Sequence, residues 1–591
     1  MVPLKDNIEP HSGVTLFDCE SFDGTARFTV IGNGSLGAKA YGLARLERLI
    51  ESRIAPSFAE TIRLDIPLLA VIATDQFDRF MEQNELLATA RSGLSDMALA
   101  ETFMRAELPA ALVRDLRAFL TYIHTPLAIR SSSLLEDTMG EPFAGVYATR
   151  ILPNNHQALE DRLQSLMRGI KYVYASTYMK KASDYRTAVW RYSHEEKMAV
   201  IVQEVVGTSH GERFYPHLAG VARSYNFYPL GLAHPEDGVV ELALGLGKTV
   251  VEEGVAWSYS PAFPHVSQPY NTFRDLLKQT QKEFWAIDMT GGMTSPTSSE
   301  VDSLKKYPLS CAEQDGVLNL LVSTYRAEDD RVVMGVRGTG PRILNFAPIL
   351  LGDSPPLTPL LQQLLKECQQ ALGNLVAIEF AMTLDHDKSE PARLGVLQAR
   401  PMVASESLAE IPLRNLTGED VLVASESTLG NGKVDAIDEI VYVRPEVFSV
   451  ANSRTIVKEL ETINRRLLSN NKSYLLIGFG RWGSSDASAG IPVNFGQISG
   501  ARVIVEATLP NVNFMLSQGT HFFHNLSSFR VLYFSVSHTG PYRIDWPWLG
   551  KQPVVTESEF VRHVKLPVPL DVKVDGRTGR GVILKSCKQK L

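Results

Sequence analysis

The sequence predicts an α/β protein built from several domains. At 591 residues the chain is too long for a single hydrophobic core. Apolar runs of strand length alternate with stretches whose apolar residues recur at helical spacing. The runs at 68–74 and 198–206 are strand-length and largely apolar, and the second is typical of a buried strand. Together, the length and the two alternating periodicities indicate mixed α/β lobes.

The composition argues against several classes of function. A formal net charge of −7 gives no support for nucleic-acid binding, although it does not exclude a local basic cleft. The four cysteines show neither metal-like spacing nor a disulfide framework, which indicates a reducing compartment. The N-terminal segment lacks the apolar core of a signal peptide, and no 18 successive residues are apolar. We therefore expect a cytoplasmic protein with no nucleic-acid or membrane partner.

Changes in pattern along the chain predict its domains. A boundary is expected near residue 405, where "ASESLAEIPLRN" interrupts the alternation. The predicted parts are an N-terminal extension over 1–26, a first lobe over 27–200, a second lobe over 201–405 with an insertion at about 259–345, and a C-terminal α/β domain over 406–591 that holds a helix at about 445–469.

A glycine-rich turn follows the first predicted strand of the first lobe. The segment "GNGSLGAKAYG" (32–42) contains four glycines and opens a helix that carries Lys39. Backbone N–H groups and an ammonium presented in this way can bind phosphate. The residue order does not match a Walker A motif. An ordinary helix-capping turn is the alternative interpretation.

The segment "AIRSSSLLEDTMGEPFAG" (128–145) places an arginine and three serines at the end of a predicted strand. The Arg130 guanidinium can fork onto two phosphate oxygens, and the Ser131 hydroxyl beside it can also donate. Glu136 and Asp137 follow, and carboxylates repel phosphate. These two residues are expected either to cap the next loop or to hold a basic residue. The alternative is a polar turn after a strand.

Two predicted strands, 374–384 and 393–403, are joined by the polar turn "DHDKSEPA", which indicates a hairpin. Cross-strand pairing would bring Glu379 and Gln398 together, and their oxygens suit Mg²⁺. Arg400 lies two residues further along, on the same strand face. A cation beside a metal ligand would fit a nucleoside triphosphate. A solvated strand face is the alternative.

A second glycine pair occurs in "LALGLGKTVVEEG" (242–254). Gly245 and Gly247 could let the backbone approach a nucleotide, but a lone G-x-G is a weak signal. The alternative is an ordinary turn between strands.

Together these segments resemble the ATP-binding region of the phosphoenolpyruvate synthase and pyruvate, phosphate dikinase family, over roughly residues 27–403. The most specific pieces are the Arg-Ser-Ser…Glu-Asp…Phe-Ala-Gly block and the Leu-Gln-Ala-Arg-Pro strand. The resemblance implies an ATP-grasp fold, in which two α/β lobes close over ATP and Mg²⁺. It also implies roles for individual residues: Lys39, Arg130 and Ser131 on the phosphates, Glu379 and Gln398 on the metal with Arg400 beside them, Gly245 and Gly247 near the nucleotide, and Gln203, Glu204 and Val206 along the adenine.

The sequence departs from the family pattern. The position two residues before the metal-binding glutamate is usually acidic, and here it is Ala377. Lys248 replaces the carboxylate of the family's Gly-Leu-Gly-Glu. The family carries phosphate on a histidine of a Thr-Ser-His motif in a swivelling domain. Here Thr208–His210 directly follows the adenine strand and is predicted to be a loop. The part beyond 405 is also too short for the family's PEP/pyruvate barrel.

The C-terminal part contains two further candidates. The loop around Arg481, "GRWGSSD", resembles a segment of uncharacterised proteins similar to PEP synthase, and it is a plausible second anion site. His521 lies in "SQGTHFFHNLSSF" and is a candidate phosphoryl acceptor or acid–base group. The alternative is a packed core histidine.

The leading hypothesis is a dikinase-type, ATP-dependent phosphotransferase that acts on an unknown small-molecule or protein acceptor, through a carrier histidine or directly. A second hypothesis is a nucleotide-binding subunit or sensor that works with a separate phosphohistidine-carrying partner. A third is an ATP-grasp ligase that releases ADP.

Overall fold

The structure is a computed structural model. Within the residues that it describes, the chain forms two six-stranded sheets, a nine-stranded sheet and three smaller sheets. The predicted α/β class and its ATP-grasp-like arrangement are confirmed. The described residues are 14–134, 136, 145–189, 196–226, 233–251, 255–265, 276–277, 280–290, 303–328, 331–352, 355–384, 390–402, 411–430, 432–470, 472–483, 490–510, 531–576 and 578–585.

The first sheet combines parallel and antiparallel strands. Its first three strands run parallel, and each later neighbour is antiparallel to the strand before it. The strand predicted at 198–206 lies inside the sheet and is buried over 198–203, as its continuous apolar run indicates. The order is Thr15–Leu16, Phe28–Ile31, Leu69–Ile72, Met198–Glu204, Leu127–Ser133 and Thr149–Leu152.

Helices pack on both faces of this sheet because alternate strand residues are apolar on both faces. Val30 and Val71 pack with the first helix, whereas Ile72 and Ile129 pack with the helices of the opposite face. No helix in the described residues is long and apolar enough to cross a membrane. The helices are Gly37–Leu49, extended by a π-helical turn Ile50–Ile54, then Thr74–Gln83, Leu86–Ala90, Asp96–Arg105, Ala110–Tyr122, Leu159–Ser176 and Lys180–Val189.

The second sheet contains the predicted hairpin. The two strands of the hairpin are antiparallel, and Glu379 lies directly opposite Gln398. Ile62–Asp65, from the early part of the chain, runs parallel to the second hairpin strand and joins this sheet. The order is Trp257–Tyr259, Val239–Ala243, Leu218–Arg223, Leu375–Thr383, Ala392–Met402 and Ile62–Asp65, and the helix Leu357–Leu372 packs against the sheet.

The Thr-Ser-His segment is a strand, so its prediction as a loop was wrong. Thr208–His210 pairs with Arg213–Tyr215 in a hairpin whose turn includes Gly211 at φ 61°. The His210 ring packs on the Tyr215 ring, with 4.9 Å between their centroids. A β-branched residue and aromatic partners favour a strand over a loop. The hairpin belongs to a four-stranded sheet with Glu283–Asp288 and Leu304–Pro308.

The remaining elements of the second half of the 14–402 region are short. They are the strands Val322–Arg326, Arg331–Met334 and Arg342–Leu344 and the helices Lys248–Val251, Leu309–Gln314 and Ala347–Gly352.

The nine-stranded sheet uses residues between 421 and 584, and we call it the C-terminal sheet. Four consecutive strands in it, 432–443, 474–479, 501–507 and 532–536, run parallel. The helix predicted at about 445–469 is present as Ser453–Ser469. The order is Val421–Ser425, Arg580–Leu584, Val561–Asp575, Gly432–Val443, Tyr474–Phe479, Ala501–Ala507, Leu532–Val536 and Thr428–Leu429, with Val554–Glu557 paired to Val561–Asp575, a separate pair Arg481–Trp482 and Gly490–Ile491, and a helix Trp546–Leu549.

The C-terminal sheet packs against the helices of the first sheet. One apolar cluster contains residues of both. At the polar rim of this contact, Lys180 Nζ lies 2.9 Å from Glu461 Oε1, and Gln497 donates to Glu461 Oε2 at 3.1 Å. The contact thus combines apolar packing with an ion pair.

We predict that Gly37→Ala strongly destabilises the protein. Gly37 has φ 75°, and a Cβ there would lie 1.8 Å from the backbone oxygen of Ser132. Gly93→Ala is the matched control, because Gly93 has φ 78° with no atom within 4 Å of its Cβ position. Gly93→Ala should lower the free energy of unfolding by about 1 kcal/mol. Gly37→Ala should lower it by about 2 kcal/mol more, or by a larger amount. Equal losses in chemical denaturation would contradict the close packing.

We also predict that His563 makes the stability fall at acidic pH. Its Nδ1 lies 2.9 Å from Arg466 Nη2, and its Nε2 lies 2.7 Å from Glu439 Oε2. A guanidinium only donates, so the ring is neutral with its proton on Nε2. Burial lowers the pKa of His563 below its ordinary value.

The unfolded chain therefore binds this proton at a higher pH than the folded chain, and stability is lost as the pH falls below about 6.5. The melting temperature should drop less between about pH 7.5 and pH 5.5 in His563→Gln than in the wild type. Substitution of the exposed His124 should leave the wild-type pH dependence unchanged. An identical acid-induced drop in His563→Gln would disprove the role of this ring.

Candidate nucleotide-binding site

Arg130 joins the first and second sheets. It lies on the strand Leu127–Ser133, and its Nη1 donates to the Leu397 backbone oxygen at 2.8 Å. Its Nη2 donates to Gln398 Oε1 at 2.7 Å, and Nη1 also donates to Gln203 Oε1 at 3.2 Å. Gln203 lies on the neighbouring strand of the first sheet, whereas Leu397 and Gln398 belong to the second. The guanidinium therefore lies at the junction of the two sheets.

Lys39 reaches the same strand from the first helix. Its Nζ lies 2.6 Å from Glu136 Oε1 and donates to the Ser131 backbone oxygen at 3.2 Å. Glu136 is 1% exposed, and it accepts from the Ser131 hydroxyl at 2.9 Å and from the Ser133 backbone N–H at 3.0 Å. Of the two explanations for Glu136, the structure therefore supports the one in which it holds a basic residue. Asp137 lies outside the described residues.

Ser132, the second of the three successive serines, fixes the start of the first helix. Ser132 Oγ accepts from the Ala40 N–H at 3.1 Å and donates to the Leu36 oxygen at 2.8 Å. The close approach of Gly37 to the Ser132 backbone brings the helix start onto the strand. Because Lys39 lies in the first turn of this helix, these contacts place its ammonium beside Ser131.

The predicted metal ligands lie side by side, next to Arg400. Glu379 is directly opposite Gln398, and Arg400 Nη2 lies 3.6 Å from Glu379 Oε1. Gln398 and Arg400 are both buried, at 5% and 6% exposure. Ala377 is directly opposite Arg400, so no carboxylate faces the arginine from that position. One carboxylate and one amide oxygen form a donor set that fits Mg²⁺ completed by phosphate oxygens and water.

The glycine-rich turn donates its backbone N–H groups to protein side chains. The N–H groups of Asn33 and Gly34 donate to Asp75 Oδ1 at 3.0 and 2.9 Å. The Ser35 N–H donates to Thr74 Oγ1 at 2.9 Å. These bonds support the ordinary helix-capping interpretation of the turn. From this segment, only Lys39 reaches the candidate site in the contacts described.

The proposed adenine strand is held at its end by ion pairs. The Glu204 carboxylate accepts from Arg393 Nη2 at 2.9 Å, and Arg393 also pairs with Asp65 at 3.1 Å. Val206 is buried. The side chains of Gln203 and Glu204 are therefore engaged by Arg130 and Arg393, and any contact with adenine from Glu204 would come from its backbone.

The second glycine pair serves packing. Gly245 has φ 80°, and a Cβ there would lie 2.5 Å from the Trp285 backbone oxygen. Gly247 precedes the short helix Lys248–Val251, and its carbonyl accepts from the Val250 N–H. Lys248 Nζ lies 5.5 Å from the centre of the Trp285 ring. The described contacts place these residues against Trp285, and they add no link to the Arg130 cluster.

The remaining predicted residue, His521, lies outside the described residues. The sequence analysis missed Asp75 and Arg393, whose partners are 41 and 189 residues away in the chain. Contacts over such separations leave no local signal in one sequence. The position of Asp75 after a buried strand was the only available hint.

Comparison with known proteins identifies a domain that spans the residues of this cluster. The family "Pyruvate phosphate dikinase, AMP/ATP-binding domain" matches residues 33–414. The chain is also 25% identical over 270 residues, 45% of its length, to an uncharacterized phosphotransferase, YvkC, of Bacillus subtilis (strain 168). That match spans 28% of the relative's own length. Because the domain match covers more than half of the chain, the protein belongs to the family defined by the pyruvate phosphate dikinase AMP/ATP-binding domain.

Proposed function

We propose that this chain is a dikinase-like phosphotransferase that binds MgATP where the first and second sheets meet. The observation that carries the proposal is the convergence of Lys39, Arg130 and Arg400 on one junction with Glu379 and Gln398. These residues come from a helix and from strands of two sheets. The three cations would neutralise triphosphate oxygens, and the two side-chain oxygens would bind the metal.

In this proposal the three cations do most of the chemical work. Phosphoryl transfer depends on positioning and on neutralising negative charge, with little covalent chemistry supplied by the protein. Arg130 is held by Gln203 and the Leu397 oxygen, so its guanidinium is already oriented. Lys39 is held by Glu136 and Ser131. Both cations are therefore in place before a nucleotide binds.

Glu379 and Gln398 would hold Mg²⁺, which neutralises phosphate charge when it is bound. Gln398 Oε1 accepts from Arg130, and an amide oxygen can accept more than one partner. Ala377 lacks the oxygen that the family usually supplies, and so metal affinity in this chain depends on Glu379 and Gln398.

The acceptor and the phosphoryl route distinguish the proposed activity from its alternatives. ATP labelled separately at the β- and γ-phosphates, incubated with Mg²⁺ and the full chain, tests the route. AMP together with acid-labile, base-stable β-label on the chain supports a dikinase reaction through a histidine, and His521 then becomes the first residue to replace. ADP formed only with a carboxylate substrate supports the ligase. ATP binding without cleavage supports a subunit that needs a phosphohistidine-carrying partner.

Arg130→Gln is predicted to reduce ATP turnover by about 100- to 1,000-fold, because it removes a preorganised cation from the phosphate site. Arg150→Gln is the matched control. Arg150 lies on the neighbouring strand of the same sheet and packs on the Tyr172 ring instead. The melting temperature of each variant separates lost chemistry from lost folding. Wild-type turnover by folded Arg130→Gln would refute the proposed phosphate site.

Glu136→Gln is predicted to destabilise the protein, and ATP is predicted to reverse part of that loss. The variant leaves Lys39 largely buried without its carboxylate, which costs about 3 kcal/mol of unfolding free energy. Triphosphate oxygens would replace the missing charge. ATP should therefore raise the melting temperature of the variant more than that of the wild type.

Glu160→Gln is the control for this experiment, because the Arg117–Glu160 pair has the same 2.6 Å separation but is about half exposed. Its removal should change stability by less than about 1 kcal/mol. If ATP shifts the wild type and Glu136→Gln equally, Lys39 does not contact the phosphates.

A further inference from the structure

The four parallel strands of the C-terminal sheet end at one edge, and this sheet is not one of the two that Arg130 joins. The Gly480 N–H donates to the Ala507 oxygen at 3.0 Å, and the Thr508 N–H donates to the Val536 oxygen at 3.1 Å. The residues that leave three neighbouring strands are thus side by side, about 5 Å apart. We call residues 480–483, 508–510 and 537–543 the C-terminal edge. Ligands of open α/β sheets bind at this end of parallel strands.

Hydroxyl groups and a histidine are fixed at the C-terminal edge. Thr508 Oγ1 lies 2.8 Å from His538 Nδ1 and accepts from the His538 backbone N–H at 2.9 Å. Ser537 Oγ and Thr539 Oγ1 are 2.9 Å apart in the next turn. These paired contacts hold the His538 ring in one orientation against a neighbouring strand, with Nδ1 beside Thr508 and Nε2 on the other side of the ring.

The tryptophan next to Arg481 anchors the short strand Arg481–Trp482. Trp482 is 1% exposed, and its Nε1 donates to the Val505 oxygen at 3.2 Å. A Cβ on Gly478 would lie 2.4 Å from the Trp482 ring, so the indole covers the sheet at that position. Successive side chains of an extended segment point to opposite sides. The inward Trp482 therefore directs Arg481 away from the sheet core.

The charge of the C-terminal edge favours an anion. Residues 480–483, 508–510 and 537–543 include Arg481, His538 and Arg543 and no acidic side chain. Two carboxylates lie nearby. That of Glu506 is 0% exposed and accepts a hydrogen bond from the Tyr533 hydroxyl. That of Glu426 is hydrogen-bonded to the Tyr542 hydroxyl and lies 3.7 Å from Arg580 Nε. Both carboxylates are thus engaged by donors, whereas Arg481, Thr508 and His538 are partly exposed.

We propose that the C-terminal edge binds a small oxyanion, either a carboxylate or a phosphate monoester, through Arg481, Thr508 and His538. An arginine guanidinium forks onto two oxygens of such a group, and a hydroxyl and an imidazole supply further donors. This site receives the phosphoryl acceptor of the proposed reaction. That assignment rests on the proposed function, whereas the binding of an oxyanion does not.

The test is calorimetric titration of the full chain with inorganic phosphate in one arm and acetate in the other. The Arg130→Gln background is used throughout, so that phosphate binding at the nucleotide site does not contribute. Arg481→Gln and His538→Gln should each weaken binding of the preferred ion at least tenfold. Arg502→Gln is the matched control, since Arg502 is exposed on the strand Ala501–Ala507 at the opposite end from Thr508, and it should bind as the background does.

Each outcome decides the proposal. Tighter binding of phosphate assigns a phosphate monoester, and tighter binding of acetate assigns a carboxylate. If neither ion binds, or if folded Arg481→Gln and His538→Gln bind as well as Arg502→Gln, the proposed anion site is wrong. ATP cleavage is measured separately in the wild type, so an anion site without cleavage would reject the proposed reaction and leave the site standing.

Discussion

The bridge made by Arg130 is the interaction on which the architecture of the nucleotide site depends. One guanidinium donates to Gln203 in the first sheet and to the Leu397 oxygen and Gln398 side chain in the second. Its rigid planar fork contacts acceptors on both sheets in a fixed geometry, which an ammonium on a flexible stem does not impose. The contact therefore links the two sheets at the point where we propose that a triphosphate binds.

Paired charges surround this bridge, because a buried ion is stable only with a partner. Glu136 holds Lys39, Glu379 faces Arg400, and Arg393 joins Glu204 to Asp65. A bound anion would enter a site whose cations are already oriented by carboxylates. Ala377 removes one carboxylate from this balance, opposite Arg400. The site is therefore more cationic than the pattern of the family it resembles, which agrees with the triphosphate that we propose as its ligand.

Much of this arrangement followed from local patterns. Apolar runs bounded by turns predicted the buried strand at 198–204, and two runs around a polar turn predicted the hairpin that places Glu379 opposite Gln398. Period-two alternation predicted that Arg400 shares their face. The Thr-Ser-His hairpin was misread because its three-residue strands are too short to show a period, and the domain boundaries of the sequence analysis remain predictions.

The sequence by itself determined the α/β class, the strands and helices that carry the candidate residues, and the family that those residues resemble. These properties depend on spacing within short segments, where a single chain contains all the information. The tertiary structure decided which charges meet: that Glu136 holds Lys39, that Asp75 takes the N–H groups of the glycine-rich turn, and that Arg481, Thr508 and His538 follow neighbouring strands. Those contacts join segments tens to hundreds of residues apart, and sheet order, which local propensity does not encode, brings them together.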